Sequence, residues 1–259
     1  MSQNSARRQV VKAYCAAAEK VLERAQDTEA AEVLAFIRSH GALTKPVGSN
    51  RFTRIEDPDM TPAVMLVPYL DTMEVKHSPF AAMLRRAEAL YVTQGHLHLL
   101  LLRSQVRYSP VWRACVFLHE SYHARTGVYS PVNLQDSRVL SAHERDTHCF
   151  HNRLIAGCGG DGFRELLDRE VAALAKEYER TGTALGVRSL LRKPALDALR
   201  QLEKLFGPAY SEEERTVRTT DLAIATSFAF FEQRAPERAA ELQANFYYEH
   251  CLRRVPSVA

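Results

Sequence analysis

The sequence predicts an α+β protein, mostly helical, with a small, largely antiparallel sheet packed before a helix that carries His119-Glu120-Ser121-Tyr122-His123. Three observations predict it. Apolar residues recur every three or four positions over long stretches at both ends of the chain, the period of an amphipathic helix. A central stretch, ALYVTQGHLHLLLLRS, reads instead as two strands joined at Gln94-Gly95. Pro and Gly gather where neither pattern holds.

The elements follow in order. Residues 5–39 are expected to be helical, with Val10, Val11, Tyr14, Ala18, Val21 and Leu22 on one face and Asp27-Thr28 capping a second helix, Glu29 to Arg38. Residues 41–62 hold Pro46, Gly48, Pro58 and Pro62 and read as loop, with a short strand near Arg51–Ile55. Residues 63–71 form an apolar run split by Pro68. Ser78-Pro79 then opens a helix to about Ala87, since Pro is tolerated in a first turn. Strands follow at Ala89–Thr93 and His96–Arg103. The motif helix begins after Ser109-Pro110 and ends at Gly127, and a further helix runs from about Ser141 to Ala156. The last hundred residues read as helices over 162–180, 187–206, 211–233 and 235–254. The glycines of GCGGDG suggest a division into residues 1–160, carrying the motif and the N-terminal helices, and residues 161–259, a helical region packed on the first as one unit.

Bulk properties exclude several classes. The chain has 259 residues, 46% hydrophobic and 25% charged, with a net charge of +3. A dedicated nucleic-acid binder concentrates a much larger basic excess, so no nucleic-acid partner is expected. The five cysteines (Cys15, Cys115, Cys149, Cys158 and Cys251) are odd in number, widely spaced and without a CxxC pair, which fits a reducing, cytoplasmic setting rather than a disulfide framework. Lys12, Glu19 and Lys20 interrupt any secretory apolar core, and the most apolar run, LHLLLL, is too short to cross a bilayer, so no membrane partner is expected either.

The motif carries the chemistry. Residues i and i+4 lie one above the other on a helix, so His119 and His123 can aim their ring nitrogens at one point. Zinc accepts imidazole nitrogen at about 2.0–2.1 Å, and one helical turn therefore supplies half of a tetrahedral site. Glu120, rotated about 100° from His119, sits beside such a point rather than on it, where a general base belongs. Tyr122 points off that face, toward the core. A catalytic zinc takes a third protein ligand, and the next helix offers His143, Glu144, His148 and His151.

HExxH followed by Glu144, 21 positions after His123, resembles the gluzincin branch of the zincin metallopeptidases, the thermolysin-like group. The resemblance spans Leu97 to Phe150, roughly a fifth of the chain. It implies a zinc ion held by His119, His123 and Glu144, Glu120 as general base, and hydrolysis of peptide bonds in a peptide or protein substrate. In many members an acidic residue four positions after the glutamate ligand supports a zinc histidine; here that position is His148, so the sequence departs from the pattern. Glu144, His148 and His151 share a helical face, and His148 competes with Glu144 as third ligand; His143 and His151 read as a polar helix face. The longer metzincin pattern is absent, since no histidine follows His123 before His143.

Zincins also carry an antiparallel strand along the cleft, and His96–Arg103 is the candidate. On that strand His96 and His98 form an HxH pair that could bind metal. Tyr129, Tyr210, Tyr247, Tyr248 and His250 are candidates for stabilising an oxyanion.

Two other readings stand beside this one. Glu-x-x-His occurs at Glu120 to His123 and at Glu74 to His77, the template of helical di-iron proteins. The C-terminal helices could instead form a non-enzymatic interaction module in which any zinc site is structural or degenerate.

Overall fold

A computed structural model describes residues 2–47, 51–55, 62–85, 87–105 and 109–130, with scattered positions from 139 to 215. The chain divides into two compact units, Met1–Val132 and Asn133–Ala259. The first is a mixed α/β unit: α1 (Gln3–Ala25), α2 (Thr28–His40), β1 (Gly41–Pro46), β2 (Phe52–Arg54), β3 (Val64–Tyr69), α3 (Thr72–Lys76), α4 (Ala81–Leu84), β4 (Ala89–Gln94), β5 (Leu97–Arg103) and α5 (Pro110–Tyr129). In the second, every described residue between 142 and 158 is helical. No helix among the described residues is long and apolar enough to cross a membrane.

The N-terminal helices form where their signals stand. Ser2 caps α1, accepting from the amide of Ser5 at 3.2 Å, and Asp27 caps α2 through Ala30 at 2.9 Å. Between them Gln26 takes a left-handed conformation and its amide closes on Leu22 O.

The sheet has five strands in the order β2-β1-β3-β5-β4. It is mixed rather than largely antiparallel. The outer pairs β1/β2 and β4/β5 are antiparallel; the inner pairs β1/β3 and β3/β5 are parallel. The hairpin at Gly95, whose φ is +61°, is a local event and legible as such. The parallel pairs depend on crossovers, the second of which contains α3, α4 and β4, and no short-range pattern encodes them.

Burial on both faces explains the unbroken apolar run of β5. Leu99 and Leu101 join Met65, Val67, Tyr69, Val75 and Leu84 in one cluster. Leu100 and Leu102 alternate to the opposite face and are also fully buried. α1 packs on β3 and β5, and α5 packs on β4, β5, α1 and α2.

Three details correct sequence expectations. β1 occupies part of the stretch read as loop. Pro68 does not split the apolar run but lies inside β3. It is tolerated because β1 pairs only with Val64 to Leu66, so the missing N–H of Pro68 faces no strand, and its carbonyl accepts from the Arg7 guanidinium. The helix expected over 79–87 is only the short α4, and α3, capped by Asp71, precedes it.

Polar contacts tie α1 to α3 and to the sheet. Arg7, 3% exposed, pairs with Glu74 through two nitrogens, and Glu74 also accepts the Leu70 amide at 2.7 Å. The Tyr14 hydroxyl lies 2.9 Å from Glu88 O and 3.0 Å from Arg103 O. Burial pushes its pKa far above the ordinary phenol value, so the group stays protonated and donates.

Candidate metal centre

α5 begins at Pro110, in the first turn where a missing amide costs nothing, and continues through Gly127 to Tyr129. Its buried positions include Ala114, Cys115, Phe117, Leu118, Ser121 and Ala124. The Tyr14 ring packs on Phe117 with centroids 5.4 Å apart. This packing holds the middle of the helix against α1 and leaves His119 and His123 on a neighbouring face.

His119 and His123 are both buried, at 9% and 5% exposure. Their Nε2 atoms are 3.2 Å apart and their rings meet edge to face, 4.8 Å between centroids. Two nitrogens bound tetrahedrally at zinc–nitrogen distances of 2.0–2.1 Å would be about 3.3 Å apart, so the pair is already at the spacing a zinc ion requires. Among the described residues one group could hold a metal ion: His119, His123 and Glu144. Two imidazoles and a carboxylate are a donor set that zinc accepts.

Glu120 occupies the flank of the pair. Its Oε2 accepts the backbone N–H of Tyr91 at 2.7 Å. That N–H is available because Glu88 and Arg103 form a hydrogen-bonded pair, Arg103 N to Glu88 O at 2.8 Å. In an antiparallel ladder hydrogen-bonded pairs alternate, so the backbone groups of Ala89, Tyr91 and Thr93 point away from β5. One carboxylate oxygen of Glu120 is thereby anchored to the sheet edge.

Tyr91 contacts more than Glu120. Its ring is nearly parallel to that of His123, at 10° and 6.2 Å between centroids, and to that of His98, at 14° and 6.1 Å. Tyr91 and His98 are diagonal neighbours on one face of the β4/β5 pair, and the Tyr91 hydroxyl lies 2.7 Å from His98 Nδ1. Burial raises the phenol pKa to about 12 and lowers that of His98. Both groups are therefore neutral at pH 7 and share one hydrogen bond. Gly127 makes room for this arrangement: a Cβ there would stand 2.2 Å from the Tyr91 hydroxyl oxygen. Gly127 does not end the helix but admits a tyrosine to its surface. Nothing in the sequence singled out Tyr91; the one signal was a glycine a turn after His123.

Other expectations are corrected. The His96–Arg103 strand is not an edge: β5 is paired on both sides, and the edge falls to β4. His96 lies in the hairpin turn and is exposed, while His98 is engaged by Tyr91 through Nδ1. His143 and His151 do not form a polar face; they are buried, with Thr147, Phe150, Leu154 and Cys158, along one stripe of their helix. Tyr122 is half-buried rather than core. Glu74 is committed to Arg7, and His77 Nδ1 lies 2.8 Å from Met73 O beside a five-residue helix. Tyr129 is 62% exposed, its ring against Phe36. His148, Tyr210, Tyr247, Tyr248 and His250, and nearly all of the C-terminal helices expected after residue 161, lie outside the described residues.

No family model, no curated protein and no solved structure matches this chain.

Proposed function

We propose that the protein is a zinc-dependent metallopeptidase of gluzincin type, hydrolysing peptide bonds with Glu120 as general base. The observation that carries this reading is the His119–His123 pair, Nε2 atoms 3.2 Å apart on the helix that also supplies Glu120, in a group with Glu144 that could hold a metal ion. His119 and His123 would hold zinc through Nε2 and Glu144 through a carboxylate oxygen. When bound, zinc supplies a Lewis acid that polarises a carbonyl and brings the pKa of a water molecule down toward 7. Glu120, held through Oε2 by the Tyr91 amide, would take a proton from water and deliver it to the leaving amine.

The outward-facing backbone of β4 favours an extended peptide as substrate, since a chain running along that edge could pair with Thr93. Cys15, Cys115 and Cys158 form no disulfide, in keeping with a cytoplasmic site of action.

The test uses zinc-loaded full-length protein and a quenched-fluorescence peptide library. Glu120→Gln should retain zinc and lose hydrolysis by about a hundredfold or more, as expected when a general base is removed. Wild-type rates in that variant would refute the mechanism.

A further inference from the structure

Tyr91 touches both halves of the proposed centre from a different element, and no part of the HExxH pattern contains it. Its amide donates to Glu120, its ring lies parallel to His123, and its hydroxyl is tied to His98. We infer that Tyr91 is the positioning residue of the site, fixing the plane of the His123 imidazole and the direction of the Glu120 carboxylate at once. The inference rests on the zinc reading proposed above.

The physical basis is restriction of freedom. An imidazole on a helix can still turn about its terminal torsion, which is broad and shallow. A parallel aromatic ring in offset contact removes that freedom on one side. The Tyr91 ring is itself held, by the strand at its base, by His98 at its hydroxyl and by Gly127, whose missing Cβ leaves the space the hydroxyl fills. Groups that orient a metal-bound histidine are worth about 10–100-fold in metal affinity when removed. Here the familiar acidic supporter is missing from the position that His148 occupies. An aromatic face against His123 gives orientation without adding charge.

Glu120 is coupled to the same residue through the backbone. Any shift of β4 that moves the Tyr91 ring also moves the amide that holds Oε2. Metal affinity and base placement should therefore change together when the ring loses its seat.

The experiment measures zinc affinity by chelator competition on the full chain, with thermal melting alongside. Tyr91→Phe keeps the ring and the amide, and should stay within about threefold of wild type, far short of the loss expected from removing an orienting group. Tyr91→Ala should weaken zinc binding by about 10–100-fold. His98→Leu breaks the same tether but leaves the half-buried phenol without its partner, which drives the ring from its seat; it should fall between the two and serves where Tyr91→Ala does not fold. In cobalt-substituted protein, the visible bands should shift in Tyr91→Ala and be restored in Tyr91→Phe. Unchanged zinc affinity in both Tyr91→Ala and His98→Leu, with only a lower melting temperature, would reduce Tyr91 to a packing residue and overturn the inference. If wild type binds zinc but cleaves no peptide, the peptidase reading fails while these affinity ratios still decide the role of Tyr91. A wild-type chain that binds no zinc overturns both.

Discussion

Replacing Gly127 by Ala tests the packing around Tyr91 through stability alone. Inside a helix, Gly→Ala ordinarily stabilises by about 0.5–1 kcal/mol, because alanine has less backbone entropy to lose. At Gly127 the added Cβ would lie 2.2 Å from the Tyr91 hydroxyl oxygen and 3.1 Å from the ring carbon that bears it. An ordinary carbon–oxygen contact is over 3 Å, so the ring must retreat by about 1 Å. Overpacking of this kind costs about 1–3 kcal/mol. Net of the helix gain, Gly127→Ala should destabilise the first unit by about 1–2 kcal/mol. Tyr91→Phe removes the clashing oxygen together with its bond to His98, at about 1 kcal/mol. In that background Gly127→Ala should be neutral or stabilising, which gives a coupling of at least about 1 kcal/mol in a double-mutant cycle. Urea unfolding followed by circular dichroism measures all four proteins. If Gly127→Ala stabilises both backgrounds equally, with coupling below about 0.5 kcal/mol, the contact does not exist as described.

Two further outcomes follow from buried groups elsewhere. Tyr14→Phe withdraws the donor shared by Glu88 O and Arg103 O, and should lower unfolding free energy by about 1–2 kcal/mol in the same assay. His98, whose pKa burial lowers in the folded state, is protonated more readily when unfolded. Its contribution is complete above the ordinary histidine pKa and is lost as pH falls through the lowered folded value. The urea midpoint of wild type should therefore drop more steeply below about pH 6.5 than that of His98→Asn; parallel curves would show that His98 is not desolvated.

What was legible in the sequence was local. One turn separates His119 from His123, so their meeting needs only a helix, and that helix is announced by Pro110 and by Ala114, Cys115 and Leu118 at helical spacing. Asp27 marked the start of α2, and Gly95 marked the hairpin. What was not legible was pairing at a distance. The hydrogen-bond partners of Val64 to Tyr69 lie in β1 and β5, and only their places in the sheet make Pro68 acceptable and make β4 rather than β5 the edge. The four consecutive leucines Leu99 to Leu102 of β5 read as one apolar run whichever neighbours they have. Tyr91 was hidden for the same reason. Its surroundings are set by a strand register that places it beside His98 across the hairpin and by a helix, distant in the chain, that lacks a Cβ at residue 127.

Metal content after dialysis, measured by elemental analysis on wild type and on His123→Ala, tests the central claim most directly. The account predicts about one zinc per wild-type chain and little or none in the variant, because two ligands cannot retain what three hold. A wild-type chain without zinc after loading, or zinc retained in full by His123→Ala, would contradict it.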